Sequence, residues 1–192
     1  NESTLVADCV KAMIDAVGGD PKVPITVKHR IGIDQIESYD FVRDFVGAVA
    51  DAGCQVFIVH ARNAWLKGLS PKENREIPPL RYGFVHQLKK DFPHLTIVLN
   101  GGLADNAACV EQLRPGAVLD GVALDGVMVG RAAQGRPWIF REIEHFLKTG
   151  EHLPPPRVEE IHRILQEHHG HRIATLSPEA IAMSEMMRGI HF

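Results

Sequence analysis

The sequence predicts an α/β fold built on a parallel β-sheet and followed by a smaller helical region. Short apolar runs alternate with amphipathic segments at helical spacing over roughly the first 130 residues. The runs are apolar throughout, which is typical of strands in a parallel sheet that helices cover. Beyond Pro137 only helical patterns remain.

Four strands and the helices between them follow from this pattern. Gly18 and Gly19 end the first helix, Gly53 ends the second, and Asp105 is a good N-cap for the fourth. Strands are expected at residues 23–27, 56–60, 96–99 and 127–129. Helices are expected at residues 5–17, 39–52, 80–92, 105–113, 138–147, 158–169 and 179–190.

A change of pattern near Pro137 predicts two domains. We expect an α/β domain over residues 1–136 and a helical domain over residues 137–192. The linker between helices is expected near residues 149–157, where Pro154, Pro155 and Pro156 follow one another.

Composition excludes several classes of protein. The net charge is −3, from 21 Lys and Arg against 24 Asp and Glu, so a polyanionic partner must meet a local basic patch. Cys9, Cys54 and Cys109 show no CxxC spacing and are odd in number. They favour a reducing, cytoplasmic setting over disulfides or a zinc site. Asn1 opens no signal peptide and no apolar run is long enough to span a membrane, so no membrane association is expected.

Polar residues or glycines stand at the end of each predicted strand. In parallel α/β folds, both barrels and open sheets, ligands bind at the carboxyl ends of the strands. Paired glycines let backbone N–H groups approach an anion closely, and cationic side chains add full charges. These features predict a phosphorylated cofactor, although each alone is more typical of a turn. The residues are Lys28, His60, Asn100, Gly101, Gly102, Gly130 and Arg131.

Five longer motifs carry a resemblance to a known family. They are VKHRIGID (27–34), VFIVHARNAW (56–65), LSPKENREIPPL (69–80), LNGG (99–102) and DGVMVGRAA (125–133). Together they resemble the flavin-dependent tRNA-dihydrouridine synthases. The stretch SPKENREIPPL is similar to the A-type subfamily that modifies uridines 20 and 20a, whereas GRAAQGRPWIFREI (130–143) is more similar to the B-type subfamily.

The resemblance implies a specific fold. The chain would hold the C-terminal half of a (β/α)8 TIM barrel, with the last four strands, followed by part of a small all-helical tRNA-binding domain. The family's catalytic cysteine would lie upstream of Asn1, so no catalytic residue is assigned here and the chain itself is expected to be inactive. Cys9 is expected to pack in its helix with Val6, Val10 and Met13.

The resemblance also implies the chemistry. FMN would be reduced by NADPH, and C6 of a uracil ring in tRNA would then receive a hydride while an acid protonates C5. Lys28 would reach the flavin, His60 would lie against flavin and phosphate, and the remaining strand-end residues would hold the phosphate. No metal is implied, and no oligomer is implied for an intact enzyme.

The loop after the second strand is the candidate tRNA contact. Arg62, Lys72 and Arg75 accompany Trp65, a pattern suited to phosphate contacts and to stacking on an unpaired base. A solvated loop in which Glu73 and Glu76 neutralise these cations is the alternative. In the tail, a basic helix face is either solvated or contacts RNA; it comprises Arg157, Arg163, His168, His169, His171 and Arg172.

Two other functions remain open from the residues. One is a different FMN-binding TIM-barrel oxidoreductase, similar to dihydroorotate dehydrogenase, which the KENR loop and the PWIFREI helix argue against. The other is a non-catalytic remnant that binds flavin or RNA.

Overall fold

A computed structural model describes residues 2–154, 156–163 and 166–167. Strands and helices alternate along the first 130 residues or so, as the sequence predicts. The strands are β1 (Thr26–Arg30), β2 (Val56–His60), β3 (Thr96–Asn100) and β4 (Gly126–Met128). The helices are α1 (Ser3–Ala16), α2 (Tyr39–Asp51), α3 (Tyr82–Asp91), α4 (Asn106–Leu113), α5 (Arg131–Gly135) and α6 (Ile139–Thr149), with a 3-10 turn at Glu73–Arg75.

The four strands form one parallel sheet in the order β1-β2-β3-β4. Sequential order with right-handed crossovers places the connecting helices on one face of the sheet. An open doubly wound sheet would instead reverse its order and cover both faces. The topology is therefore that of a (β/α) barrel wall.

The helix-covered face of the sheet forms the hydrophobic core. Phe57, Val59, Ile97 and Leu99 are all fully buried and alternate with half-buried neighbours along β2 and β3. The apolar stripe of α2 packs into the same core, with Val42, Val46 and Val49 buried. The opposite face carries Lys28, Arg30, His60 and Asn100, because side chains along a strand alternate between faces.

The prediction for the first strand is wrong by three residues. β1 begins at Thr26, not Val23, so Lys28 lies inside the strand and Arg30 ends it. Val23 is exposed, and Pro24 has no N–H to donate to a neighbouring strand. In the β-branched run 23–27, residues 23–25 therefore precede the strand, and only Thr26 and Val27 belong to it.

The chain divides into two compact units at Gly150 and Glu151, inside the expected linker 149–157. Helix α6, which we expected in the helical domain from residue 137, belongs to the first unit because its buried residues Ile139 and Ile143 join that core. In the second unit, residues 158–163 and 166–167 are helical. The predicted helix 179–190 and the basic tail residues from His168 onward lie outside the described residues.

Among the described residues, no helix has the length and apolar character needed to cross a bilayer.

His29 belongs to the core side of β1. Its ring packs against Phe45 and Phe57, with ring centroids 5.0 and 6.0 Å away. Nδ1 lies 2.9 Å from the Arg30 carbonyl, and Nε2 is buried without a hydrogen-bond partner among the described residues. Burial lowers the pKa of His29 to about 4, with the Lys28 charge a lesser cause.

We predict that His29 makes the fold acid-sensitive. The unfolded chain binds a proton near pH 6.5 and the folded one only near pH 4, so the stability is full above pH 6.5 and falls as the pH drops toward 4. His29→Leu should lessen this fall in urea unfolding at pH 7 and pH 5, whereas substitution of exposed His94 by Gln should not. Equal acid sensitivity of all three proteins would contradict the assignment.

Candidate functional site

A cavity of about 560 Å3 opens at the carboxyl ends of the strands, and we call it the anion cavity. All seven residues predicted to hold a phosphorylated cofactor lie in its wall. Arg75, Leu103, Ala104, Met128 and Ala132 complete the lining. The lining is cationic and none of these twelve described residues carries a carboxylate, so the cavity suits an anionic ligand.

Asn100 links three strands on the cavity face. Its side-chain Oδ1 accepts a hydrogen bond from Lys28 Nζ at 3.0 Å, and its Nδ2 donates to the Met128 carbonyl at 2.8 Å. Lys28 therefore reaches from β1 across β2 and is held on an uncharged acceptor. Burial, and then the charge of Arg30, lower the pKa of Lys28.

His60 ends β2 and stands in the cavity as a neutral imidazole. Burial lowers its pKa to about 4, and the charges of Arg30, Lys28, Arg62 and Arg131 act in the same direction. At neutral pH the ring thus offers one N–H donor and one nitrogen acceptor and carries no charge.

The Asn100-Gly101-Gly102 turn fits tightly around His60. Gly101 and Gly102 have φ values of +109° and +70°, a region that side chains disfavour. A Cβ on Gly101 would lie 2.6 Å from His60 Cδ2, and one on Gly102 would lie 2.4 Å from Leu80 Cδ1. Tyr82 donates its hydroxyl to the Gly101 carbonyl at 2.8 Å. The glycines therefore let the backbone approach His60 closely.

The predicted cap of α4 is present. Asp105 accepts a hydrogen bond from the Ala108 N–H at 2.8 Å. The Asp105 carboxylate thus satisfies a backbone N–H group in the first turn of α4. After β4, the residues that line the anion cavity include Gly130 and Arg131. Gly130 leaves open space, since a Cβ there would meet no atom within 4 Å.

Arg131 connects the cavity to the preceding loop. Its guanidinium pairs with Glu76 at 2.7 Å and donates to the Arg75 carbonyl at 3.4 Å. Arg75 also lines the cavity. Arg75 was expected as a tRNA contact, but the loop folds back and places it in the same wall as Gly101 and Gly102.

The loop itself is held by side chains that bond to its backbone. Arg62, an expected tRNA contact, donates to the carbonyls of Glu76 and Pro78, and its Nε is buried. Arg30 donates to the carbonyls of Asn63 and Asn74, both at 2.8 Å. Arg30 therefore anchors the loop to β1 through two backbone carbonyls.

Asn74 closes the outer part of the loop. Its Oδ1 accepts from the Trp65 N–H at 2.7 Å and its Nδ2 donates to the Trp65 carbonyl at 2.8 Å. Ser70 and Glu73 form a capping box, with the Ser70 N–H donating to Glu73 at 2.8 Å. Lys72 is exposed between them and does not line the cavity.

The site includes residues that sequence reasoning missed. Arg30, Tyr82 and Glu76 all contact groups that shape the cavity. Arg30 was detectable, since the two-residue period of a strand puts it on the same face as Lys28 once β1 is placed correctly. No sequence signal pairs Glu76 with Arg131, which are 55 residues apart.

A second cavity of about 800 Å3, the side cavity, borders the first along β1. The two share Lys28, His60 and Arg75. Ile33, Phe41 and Phe45 give the side cavity apolar surface. The two shared cations, Lys28 and Arg75, thus lie between the anion cavity and a region with apolar surface.

None of the three cysteines lies in the wall of either cavity. Cys54 and Cys109 are buried in the core, and burial raises their pKa values, that of Cys109 to about 11. Cys9 is exposed on α1, so the expectation that it packs is wrong. In the part of the chain that the structure describes, no group of three or more His, Cys, Asp or Glu could hold a metal ion.

Fold and site together define a class of protein, a parallel α/β protein of barrel topology with a cation-lined cavity at the carboxyl ends of its strands. The family model described as dihydrouridine synthase (Dus) matches residues 1–191. The chain belongs to the dihydrouridine synthase family, whose fold is a TIM barrel and whose members are flavin-dependent in general.

Three bacterial relatives are named tRNA-dihydrouridine(20/20a) synthase. The Synechocystis protein is 46% identical over 184 residues, which are 93% of this chain and 52% of that protein. The Yersinia pestis protein is 53% identical over 147 residues, 76% of this chain and 39% of that protein. The Pseudomonas syringae pv. tomato protein is 57% identical over 143 residues, 74% of this chain and 39% of that protein. The chain thus spans about half the length of these relatives or less.

We predict that Gly101→Ala disturbs both the fold and His60. The new Cβ would overlap the imidazole in a backbone conformation that alanine disfavours, which should cost about 1–3 kcal/mol of unfolding free energy. Gly83→Ala is the matched control, since Gly83 lies inside α3 without a positive φ, has open space for a Cβ and lines neither cavity. Urea unfolding and the NMR shifts of His60 measure the effect, and equal stability of the two variants would refute it.

Proposed function

We propose that this chain forms part of a tRNA-dihydrouridine synthase that reduces the C5–C6 bond of uridine 20 or 20a in the D-loop of tRNA. The observation that carries the proposal is the anion cavity, in which two cations, a neutral histidine and three glycines from the carboxyl edge of the sheet converge. They are Lys28, Arg131, His60, Gly101, Gly102 and Gly130. The Synechocystis relative, which is named for this reaction, aligns over 93% of the chain and so includes this region.

The four strands are proposed to be the last four of the barrel's eight, with the second unit, which begins at Glu151, contributing to tRNA binding. The sequential order of the strands, with helices on one face, supports a barrel segment. The division of the chain after Gly150 supports a separate second unit.

FMN fits the residues that line the anion cavity. The phosphate would be held by Arg131 and by the backbone of Asn100 to Gly102 and of Gly130, where open space at Gly130 leaves room for an anion. The cavity of about 560 Å3 lies within the usual range of roughly 300–1,000 Å3 for cofactor sites. FMN, once reduced by NADPH, would supply the hydride.

The chain's own residues would bind and orient the reactants. Lys28, fixed by Asn100, places a positive charge between the two cavities, where it stabilises negative charge on a flavin ring. Neutral His60 offers an N–H donor without repelling Lys28. The apolar side cavity suits a uracil ring that has left its stack.

No residue of this chain is proposed as the acid that protonates C5. Cys54 and Cys109 are buried with raised pKa values, and exposed Cys9 lies outside both cavities. We therefore propose that the catalytic cysteine does not belong to these 192 residues and that the chain alone is inactive. A tRNA substrate and free thiols fit a reducing cytoplasm.

The loop after β2 is proposed to contact tRNA through Lys72, with Arg75 shared between tRNA and the cofactor. Lys72 projects from the outer loop that Asn74 and the capping box hold in shape. Arg62 would act indirectly, since it bonds to the loop backbone.

FMN binding tests the proposed cavity. Lys28→Met should weaken FMN binding by about 10-fold or more, because a charge-assisted contact is lost. Lys148→Met, on α6 away from the cavity, should leave FMN affinity unchanged. Fluorescence titration of FMN into the 192-residue chain measures both. Identical affinities, or no FMN binding by the unsubstituted chain, would defeat the proposal.

Lys72 and Arg75 should separate tRNA binding from cofactor binding. Lys72→Ala should weaken tRNA binding, flatten its dependence on salt by about one unit and leave FMN affinity unchanged. Arg75→Ala should weaken both, because Arg75 lines the anion cavity. Lys11→Ala on α1 is the control. Filter binding of tRNA at several salt concentrations measures the slopes. A loss of FMN affinity in Lys72→Ala would show that Lys72 serves the cofactor and not tRNA alone.

A further inference from the structure

Glu76 brings a carboxylate to the edge of a cavity otherwise lined by cations and neutral groups. Its Oε1 lies 2.7 Å from Arg131 NH1, while Arg131 faces the anion cavity. No Asp or Glu is among the described residues that line that cavity. Glu76 therefore contacts the guanidinium that is available to an entering phosphate.

The pair between Glu76 and Arg131 is easily exchanged. Both side chains are about half exposed, at 44% and 53%, and ion pairs at such sites contribute little stability because water screens them. A phosphate dianion carries more charge and can accept two parallel N–H bonds from one guanidinium. Phosphate is thus the stronger partner for Arg131, but it must displace or repel Glu76.

The backbone of Glu76 does not need this pair to stay in place. Arg62 donates to the Glu76 carbonyl at 3.1 Å, and the Glu76 N–H donates to the Glu73 carbonyl at 2.9 Å. The carboxylate can therefore leave Arg131 while the loop keeps its fold. Glu76 is free to act on the charge of the cavity instead of on the structure of the loop.

We propose that Glu76 is a positioning residue that occupies Arg131 until a phosphate replaces it. In the empty cavity it holds the guanidinium beside the loop and offsets repulsion among the cations. When a phosphorylated flavin binds, Arg131 turns from Glu76 and from the Arg75 carbonyl to the phosphate. This inference rests on the proposed function and adds that Glu76 lowers the affinity for phosphorylated flavin specifically.

The consequence is a link between the cofactor phosphate and the tRNA-facing loop. Arg131 contacts both Glu76 and the Arg75 carbonyl, so its departure removes both contacts from the loop. Binding at one site that changes the other must act equally in both directions. A tRNA phosphate that drew Arg75 outward would likewise free Arg131 for the cofactor.

Comparison of FMN with riboflavin, which lacks the phosphate, tests the inference. Glu76→Gln removes the charge and keeps the shape, so it should bind FMN on the order of fivefold more tightly, the effect of one unit charge about 4 Å away in water. Its affinity for riboflavin should not change. The gain should shrink at high salt, where the charge is screened.

Glu73→Gln is the matched control in the same loop. Glu73 uses its carboxylate to accept the Ser70 N–H, which Gln can also do, so both flavin affinities should match those of the unsubstituted chain. Fluorescence titration of the 192-residue chain and both variants gives the affinities. Faster amide exchange at residues 75–77 on addition of FMN, but not of riboflavin, should accompany binding.

The outcomes separate the two proposals. Glu76→Gln that binds FMN more weakly, or that changes both flavins alike, would overturn the role of Glu76 and leave the flavin site standing. An equal gain of FMN affinity in Glu73→Gln would also overturn the role of Glu76, because the effect would then come from the net charge of the loop. An unsubstituted chain that binds neither flavin would overturn the proposed function, and the role of Glu76 with it.

Discussion

Repulsion among cations is the constraint around which the carboxyl edge of this sheet is organised. Five cationic side chains surround His60 within one region of the fold, and each would raise the energy of the others in a partly buried space. They are Lys28, Arg30, Arg62, Arg75 and Arg131. The protein offsets this repulsion mainly with neutral oxygen atoms. Carbonyls accept from Arg30 and Arg62, and the Asn100 amide accepts from Lys28. Positive potential is thereby kept for a ligand.

The two-residue period of β1 divides adjacent basic residues between core and cavity. Lys28 and Arg30 project toward the cavity, whereas His29 between them packs against Phe45 and Phe57. Burial lowers the pKa of His29, so that its imidazole is neutral at neutral pH and no charge has to be desolvated in the core. Within the stretch VKHRIG, Lys28 and Arg30 therefore contribute to the cavity side and His29 contributes to the core.

Much of this arrangement could be predicted from the sequence because glycines and polar residues interrupt apolar runs where strands end. His60 and Asn100 end β2 and β3 as predicted, and Gly130 and Arg131 follow β4. The first strand was misplaced because Val23 and Ile25 have strand-forming side chains, while the effect of Pro24 on pairing depends on the neighbouring strand. Arg75 was assigned to one ligand because only the folded loop brings it back to the glycines. Contacts over such separations depend on tertiary structure, which local patterns do not encode.

Asn74 has a consequence for how this protein can change over evolution. By bonding both the N–H and the carbonyl of Trp65, it closes the segment between them into a ring whose two ends are fixed to each other. Arg30 fixes that junction to the sheet through the Asn74 carbonyl. An insertion between Trp65 and Asn74 would lengthen this ring and leave its junction with the sheet in place. The outer part of the loop can therefore change in length with less effect on the residues below it than a change at Asn74 or Arg30 would have.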